Sequence, residues 1–161
     1  MKIIFFRHAK TELNSKSGKD FDRALRPNGL KQCKEMQAFL KKEFNEVEFF
    51  ALCSTAKRAR QTYKAAFANR MAKVNFLDEL YLASADELIQ IIQNEDLPSD
   101  AQLVVIGHND GLTNLVNYLT DETLYIQTSG WVEVIVEYDD LKLLSRGTGT
   151  IARYYRPNLA V

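Results

Sequence analysis

The chain has 161 residues, 46% of them hydrophobic and 26% charged, which is enough apolar material to bury a core in one domain. Twenty-one basic residues balance twenty-one acidic ones, so no overall field recruits nucleic acid or an anionic membrane, and any anion must be recognised by a local pocket. No apolar run approaches a membrane-spanning length, "MKIIFF" is too short for the core of a secretion signal, and the two cysteines, Cys33 and Cys53, form no CxxC pair; these features predict a cytoplasmic chain with buried, reduced thiols.

Short β-rich runs alternate with helical stretches along the chain. Lys2–Phe6 predicts a first strand that ends at Arg7 and His8. "NSKSGKDFDRALRPNG", from Asn14 to Gly29, is a long polar loop rich in Gly, Pro, Ser and Asn, the kind of segment that borders a site. Pro27 then suits the start of a helix, and Leu30, Cys33, Met36, Phe39, Leu40 and Phe44 recur at near-helical spacing as its core face. A second strand over Phe49–Cys53 leads to a helix capped by Ser54 or Thr55 and carried through "AKRARQTYKAAFANRM". Val74–Leu77 is the third strand, and a helix containing "DELIQIIQ" follows Ser84. Leu103–Ile106 is the fourth, followed by a helix through Tyr118. The rhythm then changes to two late strands, "GWVEVIVEY" with alternating faces and "GTIARYY", joined through "DDLKLLSRGTG". The first of these suits an interior or an edge position, and Trp131 within it is read as core. The expected architecture is a single-domain three-layer α/β/α sandwich over residues 1–161, with a mostly parallel central sheet and a late antiparallel strand.

In an open parallel sheet, ligands bind beyond the carboxyl ends of the strands, where strand tops give way to helix starts. The only two histidines of the chain stand there. Three strand tops offer Arg7 with His8, Ser54 with Arg58, and Gly107 with His108 and Asn109, a set suited to one anion, because guanidinium forks and free amides at helix starts both match phosphate oxygens. Each residue also has a plainer reading. An isolated histidine at a strand end is ordinarily a hydrogen-bonded structural group, and Arg58 within "KRAR" fits a solvated helix face, as Lys57 and Arg60 do. It is the pairing of two such histidines with arginines that favours a site. Neither histidine has a second histidine or a cysteine three to five residues away, so no metal centre is expected, and "GKD" at Gly18 lacks the pattern of a nucleotide-binding phosphate loop.

Three segments carry a family resemblance. "RHAKTELN" resembles the "RHGETxxN" signature that opens the histidine phosphatase (phosphoglycerate mutase-like) superfamily, "STAKRARQT" resembles its "SPLxRAxQT", and "VVIGHNDGL" is similar to its second-histidine segment. The short chain and the "LYLAS" segment look most like the small SixA-type phosphohistidine phosphatases. The resemblance implies a metal-independent phosphatase without cofactor, in which His8 is the nucleophile that accepts the phosphoryl group and Arg7, Arg58 and His108 surround it, with Asn14 and Asn109 as further phosphate contacts. Such chemistry demands positioning and charge stabilisation above all.

Two departures stand out. Ala9 replaces the signature glycine, and the segment before the second histidine, where phosphomonoesterases of the superfamily keep an acid, offers only "LDELY", with Glu79 as candidate and Asp78 as runner-up. The expected substrate is a phosphohistidine-bearing protein, with a small phosphorylated metabolite as the alternative and a non-catalytic phosphate-binding module as the rival of another class. Flanking arginines should keep the His8 imidazole neutral below the ordinary histidine pKa of about 6.5. A compact chain with little room for a lid should also leave the pocket mouth open.

Overall fold

The computed structural model describes residues 1–68 and 70–158. Asn69, inside the second predicted helix, and residues 159–161, at the end of the expected domain, lie outside that description. Six strands, β1 (Lys2–Arg7), β2 (Phe49–Ser54), β3 (Met71–Leu77), β4 (Gln102–Gly107), β5 (Trp131–Val136) and β6 (Gly149–Tyr155), form one sheet in the order β3-β2-β4-β1-β5-β6. The pairs β1–β4, β2–β4 and β2–β3 are parallel, while β5 runs antiparallel to both β1 and β6. The expected α/β/α architecture with a late antiparallel strand is what the chain adopts.

Among the described residues four helices cover the sheet: α1 (Pro27–Glu43), α2 (Lys57–Phe67), α3 (Ala85–Gln93) and α4 (Gly111–Thr120). Alternate side chains of β1 face opposite ways. Ile4 and Phe6 pack with Cys33, Met36 and Leu40 of α1 and Ala59, Ala66 and Phe67 of α2, whereas Ile3 and Phe5 pack with Leu88 and Ile92 of α3 and Leu112, Leu115 and Leu119 of α4. Trp131 is fully buried amid Phe6, Phe44, Phe49 and Phe67, with ring centroids 5.5–6.3 Å apart around it, and its indole N–H donates to the buried Glu133 carboxylate at 3.0 Å. That carboxylate also takes Lys2 and Arg153. Both cysteines are free and buried, and burial pushes the Cys33 thiol up to about 12 and the Cys53 thiol higher still.

Several local expectations need correction. Leu30 is 52% exposed, because in α1 the buried positions are Gly29, Gln32, Cys33, Met36 and Leu40, a stripe one residue away from Leu30. Gln32 holds its place there by accepting from the Lys10 backbone N–H. Helix α2 is capped by neither Ser54 nor Thr55. It starts after Ala56 and ends at Phe67, four residues short of the predicted Met71, which instead opens β3. β5 does not alternate, since both of its faces are covered and only Ile135 among its residues is exposed; it lies inside the sheet. The alternation belongs to the edge strand β6.

Candidate active site

The carboxyl ends of β1, β2 and β4 lie side by side, so the residues that follow them meet at one edge of the sheet. His8 extends β1, with its N–H on the Gly107 carbonyl at the end of β4 and its own carbonyl taken by the Ser129 N–H. Ala9 N–H donates to Thr62 Oγ1, and the Thr62 hydroxyl donates to the Arg58 carbonyl, which ties the turn after His8 to the first turns of α2. The Cβ of Ala9, the departure from the signature glycine, is fully buried in the core on the α1 and α2 side.

The ring geometry of His8 is specific. Nδ1 lies 2.8 Å from the Ala9 carbonyl oxygen, so Nδ1 carries the hydrogen and Nε2 keeps its lone pair. Onto Nε2 the Arg58 Nε–H donates at 3.3 Å. The His108 ring is 5.2 Å away, with Nε2 2.7 Å from Ser54 Oγ and Nδ1 buried without a partner. Ser54, read from the sequence as a helix cap, accepts from the Ala56 N–H and orients His108. Burial is the largest cause that lowers the His8 pKa; the Ala9 carbonyl opposes it, and His108, Arg58 and Arg7 add to it, leaving a value of about 3. His108 is lowered to about 3 by burial, then by Arg58, with Asp20 opposing. The direction expected for His8 is therefore found, but removal from water outweighs the arginines.

The other sequence candidates separate. Arg7 donates to the Ile126 carbonyl at 2.9 Å and stacks over the Tyr125 ring at 5.8 Å, with its Nε buried and unpartnered. The Asn109 amide donates to that same Ile126 carbonyl at 2.7 Å and takes the Thr113 hydroxyl, so its side chain anchors the loop beside Arg7. Asn14 is exposed and Glu79 lies in a surface groove with Glu87, Gln90, Ile91 and Asn94. Among the described residues neither bonds to His8, Arg7, Arg58 or His108. Asp78 takes the Thr55 hydroxyl at 2.5 Å.

Two residues absent from the sequence candidates complete the cluster. The Asp20 carboxylate, on the long polar loop, receives Arg58 Nη2 at 3.0 Å, the Tyr81 hydroxyl at 2.6 Å and Arg23 Nε at 2.8 Å, and its backbone carbonyl takes Arg58 Nη1 at 2.9 Å. Partial burial works to raise the Asp20 pKa, but Tyr81, Arg23 and Arg58 outweigh it and hold it at about 2. Tyr81 lies edge-on to His108 and to Phe21 and sits under the Arg58 guanidinium. The only sequence signal for either was the composition of the loop and the "LYLAS" segment itself. The three side chains lie deep: His8, Arg58 and His108 are 6%, 2% and 3% exposed, with Asp20 and Tyr81 against Arg58.

Residues 3–88, just over half of the chain, match the family model of the histidine phosphatase superfamily (branch 1). The chain belongs to that superfamily. Membership makes it an enzyme of the histidine phosphatase kind, and Arg7, His8 and Arg58 all fall inside the matched span, with His108 beyond it. No curated protein sequence matches the chain. Solved structures of the same fold include SixA of Nakamurella multipartitia (23% identity, 97% of this chain and 95% of that one, TM-score 0.80) and the protein histidine phosphatase SixA complexed with tungstate (24%, 97% of both, TM-score 0.79). SixA of Agrobacterium tumefaciens follows, at 19% identity over 98% of both chains with TM-score 0.78. At these identities the likeness is one of fold. It extends over β4 and α4, which the superfamily match does not reach.

Proposed function

We propose that the protein hydrolyses phosphohistidine on a protein substrate through a covalent phosphoryl intermediate on His8. The observation that carries this reading is the His8 ring: Nδ1–H is tied to the Ala9 carbonyl, and the unprotonated Nε2 is buried against a guanidinium. A neutral imidazole with a fixed lone pair is a nucleophile, and the cation beside it suits the transferring phosphoryl oxygens. In the first step Nε2 attacks phosphorus and the P–N bond of the substrate breaks. The substrate imidazole, protonated on its other nitrogen, leaves neutral. Water then attacks phosphorus on His8, the second P–N bond breaks, and inorganic phosphate is released with regeneration of the imidazole. In this reading Arg7, Arg58 and the Nδ1 of His108 meet the phosphoryl charge. That the fold neighbour with 24% identity binds tungstate, an oxyanion, accords with such a pocket.

The phosphohistidine preference rests on the acid. An alkoxide leaving group needs a proton in the transition state, whereas imidazole does not, and Glu79 lies in the α3 groove rather than beside His8. Incubation with a labelled phosphodonor followed by an alkaline quench should trap an alkali-stable, acid-labile label that disappears in His8→Ala. Phosphohistidine and aryl phosphates should be cleaved far faster than alkyl phosphates, with Glu79→Gln indistinguishable from wild type on the former. Efficient turnover of a sugar phosphate that Glu79→Gln abolishes would make the enzyme a small-molecule phosphomonoesterase. Phosphate binding with neither label nor turnover would make it a binding module.

A further inference from the structure

Each of the three nitrogens of Arg58 already donates to a partner within the protein. Its Nε is committed to His8, Nη1 to the Asp20 carbonyl and Nη2 to the Asp20 carboxylate, and the side chain is 2% exposed. The layer that covers it is Asp20, whose side chain is 46% exposed. A carboxylate offers a guanidinium the same pair of anionic oxygens that a phosphoryl group does. The phenol of Tyr81 and the guanidinium of Arg23 complete a set of donors that would suit either anion.

We infer that the Asp20 carboxylate is a resident occupant of the phosphoryl site, which the incoming phosphoryl group must displace from Arg58. The inference rests on the reading of Arg58 as a phosphoryl contact. The loop that carries Asp20 is pinned at its base, where Arg23 Nη1 donates to Thr11 Oγ1 and to the Glu12 carbonyl, and is lightly packed beyond it. No residue from Glu12 to Arg23 is buried, its internal bonds run among Ser15, Ser17, Lys19 and Asp22, and Gly18 turns it with a positive φ of 76° that favours glycine. Its contacts with the pocket wall are the bonds of Asp20 itself and the Phe21–Tyr81 edge contact. Once a phosphoryl group neutralises Arg58, the like charge of the dianion repels Asp20 and the loop swings outward, exposing the His8–His108 pair to a side chain presented by a folded partner. When phosphate leaves, the carboxylate returns and Arg58 is paired again. Asp20 thus sets how tightly substrate and product are held without touching the bonds that form and break.

The test is inorganic phosphate titrated into the full chain by calorimetry, beside aryl phosphate kinetics, for wild type, Asp20→Asn and Asp22→Asn. Asp22 lies on the same loop and takes the Ser17 hydroxyl, so its substitution removes the same charge without touching Arg58. Asp20→Asn should bind phosphate about 10-fold more tightly and lower KM in step, with kcat within about twofold of wild type, the scale of one charge-assisted hydrogen bond; Asp22→Asn should change neither. Asp20→Ser, which removes the carboxylate but keeps a small polar side chain, should move phosphate affinity the same way, and supplies the answer if Asp20→Asn fails to fold. Unchanged or weaker phosphate binding in both variants overturns the inference and makes Asp20 a structural clamp. A wild type that never labels at His8 but whose phosphate affinity rises in Asp20→Asn overturns the phosphatase reading and leaves this one standing. A labelled wild type without that rise does the opposite.

Discussion

Arg58 shows why one side chain type is needed at its position. Its planar fork reaches His8 Nε2 with one nitrogen and Asp20 with the other two, and a lysine ammonium on a single flexible stem cannot span both partners. Arg58→Lys should therefore keep the charge and still lose about 100-fold or more in turnover, on the scale of removing one transition-state donor. Lys57→Ala on the exposed face of the same helix is the control, and equal rates for the two would return Arg58 to the role of surface charge. His8 presents the complementary case. Its neutral state follows from burial first and from positive neighbours second, so an NMR titration of the phosphate-free protein should find its ring signals unchanged from pH 8 to pH 5, where a surface histidine would already be charged. A midpoint near or above 6.5 would contradict the geometry at Nε2. Bound phosphate acts the other way, because an anion beside the ring favours the imidazolium.

Among the elements, the best legible were those whose signals are local. Ser84 heads α3 with its hydroxyl accepting from the Glu87 N–H while the Glu87 carboxylate takes the Ser84 N–H, a reciprocal box that the sequence shows as a cap three residues ahead of an acid. Ser84→Ala should lower stability by about 1 kcal/mol in denaturant melts, with turnover unchanged. The start of α2 was misplaced for the opposite reason: Ser54 and Thr55 have the chemistry of caps, but tertiary partners, His108 and Asp78, claim their hydroxyls. Arg7, His8 and His108 could be read as candidates because they sit at strand tops, which periodicity locates, and Arg58 because it lies in the first turn of the helix after one. Asp20 could not, since it enters the pocket through a loop fold fixed by long-range bonds to Arg58 and Tyr81, and the place of Glu79 was not legible because position in the chain does not reveal which side of a short 3-10 turn, Asp78–Leu80, will face the pocket. Close backbone approach was equally hidden. A Cβ on Gly111, at the first turn of α4, would collide with the Ala83 carbonyl oxygen, so Gly111→Ala should push the Tyr81–Ala83 segment off α4 and reduce both stability and turnover, unlike Ser84→Ala. Loss of stability with full turnover would show that Tyr81 does not depend on that contact.

For the molecule as a whole, the site carries a stability cost that depends on pH. The sheet separates two largely apolar cores, and beyond the carboxyl ends of its strands the protein buries two histidines beside a buried guanidinium. Both histidines are neutral in the folded chain down to about pH 3, whereas in the unfolded chain each takes up a proton near pH 6.5. Between those limits the unfolded state binds more protons than the folded one, so stability rises with pH and falls as the solution is acidified from 6.5 towards 3. The slope from each histidine is up to about 1.4 kcal/mol per pH unit. Asp20 works in a lower window: its depressed pKa adds stability above the ordinary carboxylate range that is lost only as pH falls through about 2, so it leaves the interval from 6.5 to 4 to the histidines. Melting temperatures should accordingly drop steeply over that interval, and His108→Asn, which removes one titrating ring while keeping a polar side chain near Ser54, should have the shallower slope even if it is less stable at neutral pH. Inorganic phosphate should raise the melting temperature by mass action, and by more at acid pH, since the bound anion lets His8 or His108 hold the proton that the empty pocket rejects. If melting is flat from pH 6.5 to 4 in the wild type, the rings are open to protonation in the folded state, and the neutral buried nucleophile on which the proposed chemistry depends is lost with it.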